Sequence, residues 1–277
     1  MPPLYRLIVS PNPYQMDAFV VGGKSFSALT IKNKDFVDGI LKVDSNYKKD
    51  MGVFPPDPST KKKKNPFDPL QPDDRYCGSA GYWFNEMQNG GNFGKCLAGA
   101  ILSIDRVNST HLEACVSGRD EIRKRILGRC PSANPVADLK NLLQTNFCSN
   151  GGSSHLLGCL TDAIQAKGKE TPRFNLSFAT KFCFYASKWL NAGSEYSKYD
   201  NVVAEALPTY YDCYKGNKPG TTKKSAFKLQ SKMNLQERIG VYAKYSECIG
   251  EILSKLKSSN IVLSREDFDE IVWYTNK

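Results

Sequence analysis

The chain has 277 residues, enough for one large or two ordinary domains, and its 40% hydrophobic and 24% charged residues are typical of a globular protein. No apolar run approaches the roughly 20 residues that span a bilayer, and the first residues lack a signal-peptide layout, so we expect a cytoplasmic protein without a membrane anchor. The net charge of +10 favours a polyanionic partner, with nucleic acid the leading class.

The nine cysteines and two histidines limit the metal and redox chemistry that the chain can support. Even the nearest two cysteines, Cys148 and Cys159, are 11 residues apart. This spacing excludes C-x-x-C motifs and a clustered iron–sulfur site. His111 and His155 are too few for a histidine-based metal site. We therefore expect reduced thiols, no metal ion and no cofactor.

Residues 1–54 are predicted to form a small antiparallel sheet, because short apolar or β-branched segments alternate there with turn residues. The segments are Leu4–Val9, Ala18–Val21 and Phe26–Ile31, whereas Phe36–Val43 fits either a strand or a short helix. Residues 55–74 contain six prolines around four consecutive lysines, which predicts an exposed connection.

Residues 75–277 are predicted to be helical, which makes the fold class α+β and mainly α, with the small sheet first. Ser264 and Asp267 form a capping box at the start of the last helix, and Pro208 is expected to interrupt or bend the helix that contains it. Apolar residues at helical spacing mark the other helices at Tyr76–Met87, Phe93–Ile104, Arg119–Leu127, Ala137–Phe147, Ser153–Ala166, Val202–Tyr214 and Leu235–Leu256.

The most informative stretch is Ser177–Asp200, SFATKFCFYASKWLNAGSEYSKYD, whose first half has one apolar stripe at helical spacing. With Ser177 as the N-cap, Lys181 lies about one turn into this helix, at the edge of the stripe. The helix dipole and partial burial would both favour its neutral, nucleophilic amine. Asp200 then opens the next helix, where the dipole favours a carboxylate. The bland interpretation is a solvated lysine and a capping aspartate. The stripe comprises Phe178, Phe182, Tyr185, Ala186, Trp189 and Leu190.

This stretch resembles the core of the helix-hairpin-helix base-excision DNA glycosylases, in particular the 8-oxoguanine DNA glycosylase branch and its bacterial members. The likeness covers roughly residues 75–277, and its most specific elements are Thr180-Lys181, Asp200 in YSKYDNVVAEAL, and the closing SREDFDEIVWYTNK. It implies a monomeric glycosylase with lyase activity that acts on double-stranded DNA containing a damaged or modified base. Lys181 would be the nucleophile, and Asp200 would stabilise the positive charge that develops on the sugar.

The resemblance also implies roles for residues outside this pair. In the family, an asparagine in a turn before a long helix enters the DNA and fills the gap left by the extruded base. Asn89 and Asn92 are the candidates for this role, and an ordinary helix–helix turn is the alternative. The lysine-rich stretch 213–236 contains no acidic residue and is expected to contact phosphates, with a solvated loop as the alternative. Candidates to stack on the base, with core packing as the alternative, are Tyr185, Trp189, Phe268 and Trp273. The lysines are Lys215, Lys218, Lys223, Lys224, Lys228 and Lys232.

The chain departs from the family at two places. The glycine-containing L-P-G-x-G hairpin before the lysine is replaced by RFNLSFA at 173–179, and the cysteine four residues after the lysine is replaced by Tyr185. The first change favours a DNA-binding protein that has lost catalysis. The second favours a glycosylase directed against modified bases of foreign DNA, such as that of a phage. Both are alternatives to a repair enzyme.

Overall fold

A computed structural model describes residues 19–21, 24–26, 55–56, 77–108, 110–144, 155–218, 220–258 and 262–276. The described chain is mainly helical with a small antiparallel sheet, as predicted. Strands β1 (Phe19–Val21) and β2 (Lys24–Phe26) pair with Phe19 opposite Phe26. The segments predicted at Leu4–Val9 and Phe36–Val43 and the four lysines at 61–64 lie outside the described residues. The predicted domain boundary around residues 54–75 therefore stays a prediction.

The described residues contain nine α-helices and a second short ladder, in which β3 (Ile164–Gln165) pairs antiparallel with β4 (Pro172–Arg173). None of these helices is both long and apolar enough to cross a bilayer. The helix that contains Pro208 is not interrupted there, contrary to one of the two predicted outcomes. The helices are α1 (Ala80–Gln88), α2 (Phe93–Val107), α3 (Gly118–Leu127), α4 (Pro135–Gln144), α5 (Leu156–Thr161), α6 (Leu176–Leu190), α7 (Asn201–Lys215), α8 (Leu235–Ser258) and α9 (Arg265–Asn276).

The chain divides into two compact units that each combine separate stretches of sequence. The Lys181 unit comprises residues 50–198 and 232–240. The Asp200 unit comprises residues 1–49, 199–231 and 241–277. The two candidate catalytic residues thus belong to different units.

Helix α6 forms the centre of the Lys181 unit and packs against α1 and α5. Phe182 of α6 meets Phe84 of α1 edge to face, with ring centroids 5.8 Å apart, and both side chains are fully buried. Glycine permits the close packing: a Cβ at Gly81 would lie 2.7 Å from the ring of Trp189. A Cβ at Gly99 of α2 would collide with the ring of Trp83, which explains the small residue at the centre of that helix.

The Asp200 unit is built on α7 and α9, which pack together, and on the tyrosine-rich face of α8. Tyr199 and Tyr245 are fully buried, and their ring centroids lie 5.2 Å apart. The Tyr199 hydroxyl donates to the Phe227 carbonyl at 2.9 Å and accepts from the Leu229 amide at 3.2 Å. These bonds satisfy a buried polar group and attach the stretch after α7 to the core.

One predicted helix, Ser153–Ala166, is wrong in its second half. Helix α5 ends at Thr161, and Ile164–Gln165 forms strand β3 instead. The Arg125 guanidinium of α3 donates to the carbonyls of Cys159, Asp162 and Ala163 at 2.9–3.1 Å. Because a side chain from elsewhere satisfies these carbonyls, the helix has no need to continue.

Candidate active site

Helix α6 begins one residue before Ser177, so the prediction that Ser177 is its N-cap is wrong. The N-cap is Asn175, whose carbonyl accepts from the Ala179 amide at 2.9 Å. The Asn175 side chain does not cap the helix; it donates to the Arg173 carbonyl at 3.2 Å. The shift frees the Ser177 hydroxyl from a capping role and places Lys181 in the second helical turn.

Lys181 is buried far more deeply than a position at the edge of a stripe implies. Of the 15 residues of α6, 11 are buried, and Lys181 itself is only 6% exposed. Its Nζ lies 3.3 Å from the Ser177 Oγ and 3.5 Å from the carbonyl oxygen of Asn108. The amine therefore contacts both its own helix and the residue that follows α2.

Asn108 is a site residue that sequence reasoning missed. It follows the last residue of α2 and presents its carbonyl oxygen to Lys181, while its Oδ1 lies 3.5 Å from the Tyr185 hydroxyl. Its Nδ2 donates to the Ile104 carbonyl of α2 at 3.1 Å. An asparagine at the end of a helix is locally an ordinary cap, and Lys181 is 73 residues away, so no sequence signal connected the two.

The buried carboxylate of Asp105, which precedes Asn108, forms hydrogen bonds to residues that follow Asn108. Asp105, 1% exposed, accepts from the Thr110 hydroxyl at 2.6 Å and from the Leu112 amide at 2.8 Å. The Arg119 guanidinium lies 2.7 Å from the same carboxylate. The Arg173 guanidinium, just before α6, donates to the Thr110 carbonyl at 3.0 Å. These bonds hold the end of α2 against the start of the Lys181 helix.

Asp200 is the N-cap of α7, which agrees with the bland interpretation of this residue as a capping aspartate. Its Oδ1 accepts from the Val202 amide at 2.8 Å, and its carbonyl accepts from the Ala204 amide at 2.8 Å. The carboxylate is therefore fixed at the positive end of a helix of 15 residues. Before it, Asn191 ends α6 in the left-handed conformation, with φ 54°. That Lys181 and Asp200 face one cleft stays a prediction.

The four aromatic candidates for base stacking have different environments. Phe268 is fully buried and meets Tyr210 edge to face at 6.2 Å, so it is a core residue of the Asp200 unit and not an exposed stacking surface. Trp189 covers Gly81 and is half-buried as a packing residue between α6 and α1. Tyr185 and Trp273 are half-buried, and Tyr185 has its hydroxyl beside Asn108.

The candidate asparagines both lie in the turn between α1 and α2, with exposed side chains. The Asn92 side chain caps α2 by accepting from the Lys95 amide at 2.9 Å. Asn89 ends α1, and its backbone amide donates to the Asn85 carbonyl. The capping bond gives Asn92 a structural role; insertion of either residue into DNA stays a prediction.

The candidate lysines divide into two kinds. Lys215 forms an ion pair with Glu251 at 2.6 Å, and Lys228 forms one with Glu205 at 2.9 Å. Hydrogen bonding to Glu251 raises the pKa of Lys215, and the same contact lowers the pKa of Glu251. Lys218, Lys223 and Lys224 are exposed, and none of them has a carboxylate partner among the described residues.

The eight cysteines in the described part of the chain are free, and all but Cys213 are buried. Burial raises the pKa of the Cys130 thiol to about 12, and burial likewise raises that of Cys183. Such thiols are protonated at neutral pH and are poor nucleophiles and poor metal ligands. No group of three or more His, Cys, Asp or Glu that could hold a metal ion occurs among the residues that the structure describes.

Comparison with protein-family models, with curated proteins and with solved structures gives no match for this chain.

Proposed function

We propose that the chain is a DNA glycosylase with lyase activity, which removes a damaged or modified base from double-stranded DNA through Lys181. The observation that carries this proposal is the burial of Lys181, whose amine lies 3.3 Å from the Ser177 hydroxyl and 3.5 Å from the Asn108 carbonyl oxygen. Burying a lysine costs free energy because an ammonium ion is desolvated, and desolvation favours the neutral nucleophilic amine. The resemblance around Thr180-Lys181 and Asp200 supports the same assignment.

The reaction follows from a neutral amine beside an extruded nucleotide. The nitrogen lone pair of Lys181 forms a bond to C1′ as the glycosidic bond breaks, and the bonding pair leaves with the base, which takes up a proton. The sugar ring then opens as the C1′–O4′ bond breaks, O4′ receives a proton from the nitrogen, and a Schiff base forms. Loss of a proton from C2′ expels the 3′ phosphate and nicks the strand. Water hydrolyses the remaining imine and restores the lysine.

Asp200 would act on the charge of the transition state. As the base leaves, positive charge develops on the sugar, and a carboxylate fixed nearby stabilises it without having to reorient. The capping bond from the Val202 amide supports this role, since it holds the carboxylate in one place at no further cost during the reaction. The proposal requires that Asp200 and Lys181 face the same nucleotide.

A second candidate function is DNA binding without catalysis. Residues 172–175, in place of a glycine hairpin, form strand β4 and the start of α6. The Arg173 guanidinium in this stretch is bonded to the carbonyls of Thr110 and His111. This arrangement favours a structural over a phosphate-gripping role for the segment, and it is the observation that supports a non-catalytic protein.

Borohydride trapping separates the two functions. The protein is incubated with duplexes that carry 8-oxoguanine, uracil, an abasic site or a bulky modified cytosine of the kind found in phage DNA. We expect reduction of the Schiff base to give a covalent adduct on at least one duplex, with peptide mapping placing it on Lys181. Absence of both adduct and strand nicking on every duplex, including the abasic one, would reject the enzyme and leave the binding protein.

A further inference from the structure

The loop that follows α7, described at residues 216–218 and 220–228, contains exposed lysines and is anchored by a buried carboxylate. The anchor is Asp212, which lies in the last turn of α7 and is fully buried. A carboxylate is disfavoured near the negative end of a helix, and a buried one needs hydrogen-bond donors. Asp212 is therefore kept at this position by groups outside the helix.

The loop supplies those donors. The Thr222 amide donates to both oxygens of Asp212 at 3.0 and 3.1 Å, and the Thr222 hydroxyl donates to Oδ1 at 2.6 Å. The Asn217 Nδ2 lies 3.5 Å from Oδ1. Burial by itself would raise the pKa of Asp212, but the bonds from Thr222, Asn217 and the Gly220 amide outweigh burial and lower that pKa. The carboxylate is thus ionised and holds the loop at two points.

The two anchored residues are the immediate neighbours of lysines. Lys218 follows Asn217, and Lys223 and Lys224 follow Thr222. Turns fix the backbone at Lys218 and Lys223. The Lys218 carbonyl accepts from the Thr221 amide at 3.2 Å, and the Lys223 carbonyl accepts from the Ala226 amide at 2.8 Å. All three lysines therefore project from a backbone that Asp212 holds in place.

Among the described residues, no carboxylate neutralises the charge of these three lysines. Lys215 and Lys228, at the two ends of the loop, are neutralised by Glu251 and Glu205, whereas Lys218, Lys223 and Lys224 are exposed and have no such partner. A set of like charges presented on a fixed backbone is repulsive in the free protein, and it favours a ligand with several evenly spaced negative charges. The phosphate backbone of duplex DNA is such a ligand.

We propose that Asp212 builds a phosphate-binding surface from Lys218, Lys223 and Lys224, which grips the backbone of duplex DNA independently of its sequence. This inference rests on the proposed function for the identity of its partner, but it makes a separate claim. The lysines bind as a preorganised set, and Asp212 and Thr222 are the positioning residues.

The test compares two triple variants that remove the same charge. The loop variant, Lys218→Gln/Lys223→Gln/Lys224→Gln, removes the three charges of the proposed surface. The control variant, Lys124→Gln/Lys167→Gln/Lys169→Gln, removes three exposed lysines of the Lys181 unit. Binding to a short fluorescein-labelled unmodified duplex is measured by anisotropy across a range of salt concentrations. We expect the loop variant to bind roughly tenfold or more weakly, with a salt slope smaller by about 0.9 for each lost phosphate contact. The control should keep the parental slope.

A further variant tests positioning without removing a lysine. Thr222→Val deletes the hydroxyl bond to Asp212 and leaves the three charges, so we expect binding to weaken about threefold to fivefold because the loop is no longer held. Asp212→Asn should weaken binding in the same direction, with circular dichroism to check its fold. Parental affinity in Thr222→Val would reject the role of the anchor.

Three results would overturn the surface itself: an unchanged slope in the loop variant, equal losses in both triple variants, or loss of binding to anionic lipid vesicles with binding to DNA unaffected. The result is also separable from the proposed enzyme activity. If the parent forms no borohydride adduct but the loop variant loses DNA binding, the glycosylase is rejected and the phosphate-binding surface is kept. An adduct together with unaffected binding would do the reverse.

Discussion

Helix α6 and the loop after α7 both contain lysines of interest, but their lysines have opposite surroundings. Lys181 is 6% exposed, whereas Lys218, Lys223 and Lys224 are exposed in a stretch without a single acidic residue. Burial makes the ammonium form of a lysine costly and suits bond formation, while exposure keeps the charge and suits attraction to phosphates. The net charge of +10 counts both kinds alike. Their surroundings distinguish a reactive amine from a binding one.

Both regions depend on the end of a neighbouring helix. The end of α2 presents the Asn108 carbonyl to Lys181, and the end of α7 presents the Asp212 carboxylate to the loop. The first anchor is a backbone carbonyl oxygen that lies 3.5 Å from the amine. The second is a buried charge, which requires donors and thereby holds the loop at Asn217 and Thr222. The predictions below test this difference.

The largest effect is expected for Lys181→Gln, which should abolish the borohydride adduct. DNA affinity should stay within about twofold, because one buried lysine contributes little to an interface with many phosphates. The matched control is Lys188→Gln, an exposed lysine on the same helix, which should form the adduct at the parental rate. An adduct that persists in Lys181→Gln would assign the chemistry to another amine and remove the contrast between the two regions.

A smaller but still large effect is expected for Asp200→Asn. The asparagine can still accept from the Val202 amide and cap α7, so the melting temperature should change little. Base release should fall by about 10²–10³-fold, since a carboxylate that stabilises the charged sugar is lost. Single-turnover kinetics measure this rate. Asp267→Asn, at the capping box of α9, is the control, and an equal fall there would point to general destabilisation.

Ser177→Ala should change the pH dependence of trapping more than its maximal rate. The Ser177 hydroxyl lies 3.3 Å from the Lys181 Nζ and, as an acceptor, favours the ammonium form. Without it, the rising limb of the pH–rate profile should move to lower pH. Adduct formation is measured across pH in the parent and the variant. A profile that does not move would show that this hydroxyl does not influence the protonation of the amine.

The smallest effect concerns acid stability of the loop. Hydrogen bonds lower the pKa of the Asp212 carboxyl below its ordinary value, so it stabilises the fold at neutral pH. That contribution is present above the unfolded-state pKa of about 4 and is lost as the pH falls through the lower folded-state value. Hydrogen exchange of the Thr222 amide should therefore lose protection in strong acid. Asp212→Asn should show weak protection at every pH, and a pH-dependent loss in that variant would contradict the assignment.

Local sequence signals gave correct helix boundaries at several positions where the deciding contact is local. Asp200 caps α7, Asn191 ends α6, and Ser264 with Asp267 makes reciprocal capping bonds at α9. Each signal involves residues within about one helical turn, where side-chain chemistry alone determines which backbone groups are satisfied. The same holds for the asparagine turn between α1 and α2.

Predictions failed where a distant residue supplied the contact. Arg125 of another helix bonds the carbonyls at the end of α5. The N-cap of α6 was wrong for a local reason, because Asn175 and Ser177 are equally good capping residue types and helical spacing does not choose between them. An acidic residue in the last turn of α7 was a readable signal, because Asp212 opposes the helix dipole. It was overlooked, and its partner Thr222 could not be inferred from spacing.

The sequence by itself therefore determined a mainly helical chain, the position of Lys181 in a helix, the cap at Asp200 and an excess of positive charge. Only the tertiary structure decided that α6 is buried on most of its surface, that Asn108 faces the lysine and that Phe268 belongs to the core. Helical periodicity reports one apolar face, whereas burial depends on how many neighbouring helices pack around it. A pair such as Lys181 and Asn108, 73 residues apart, becomes a site only when packing brings its members together.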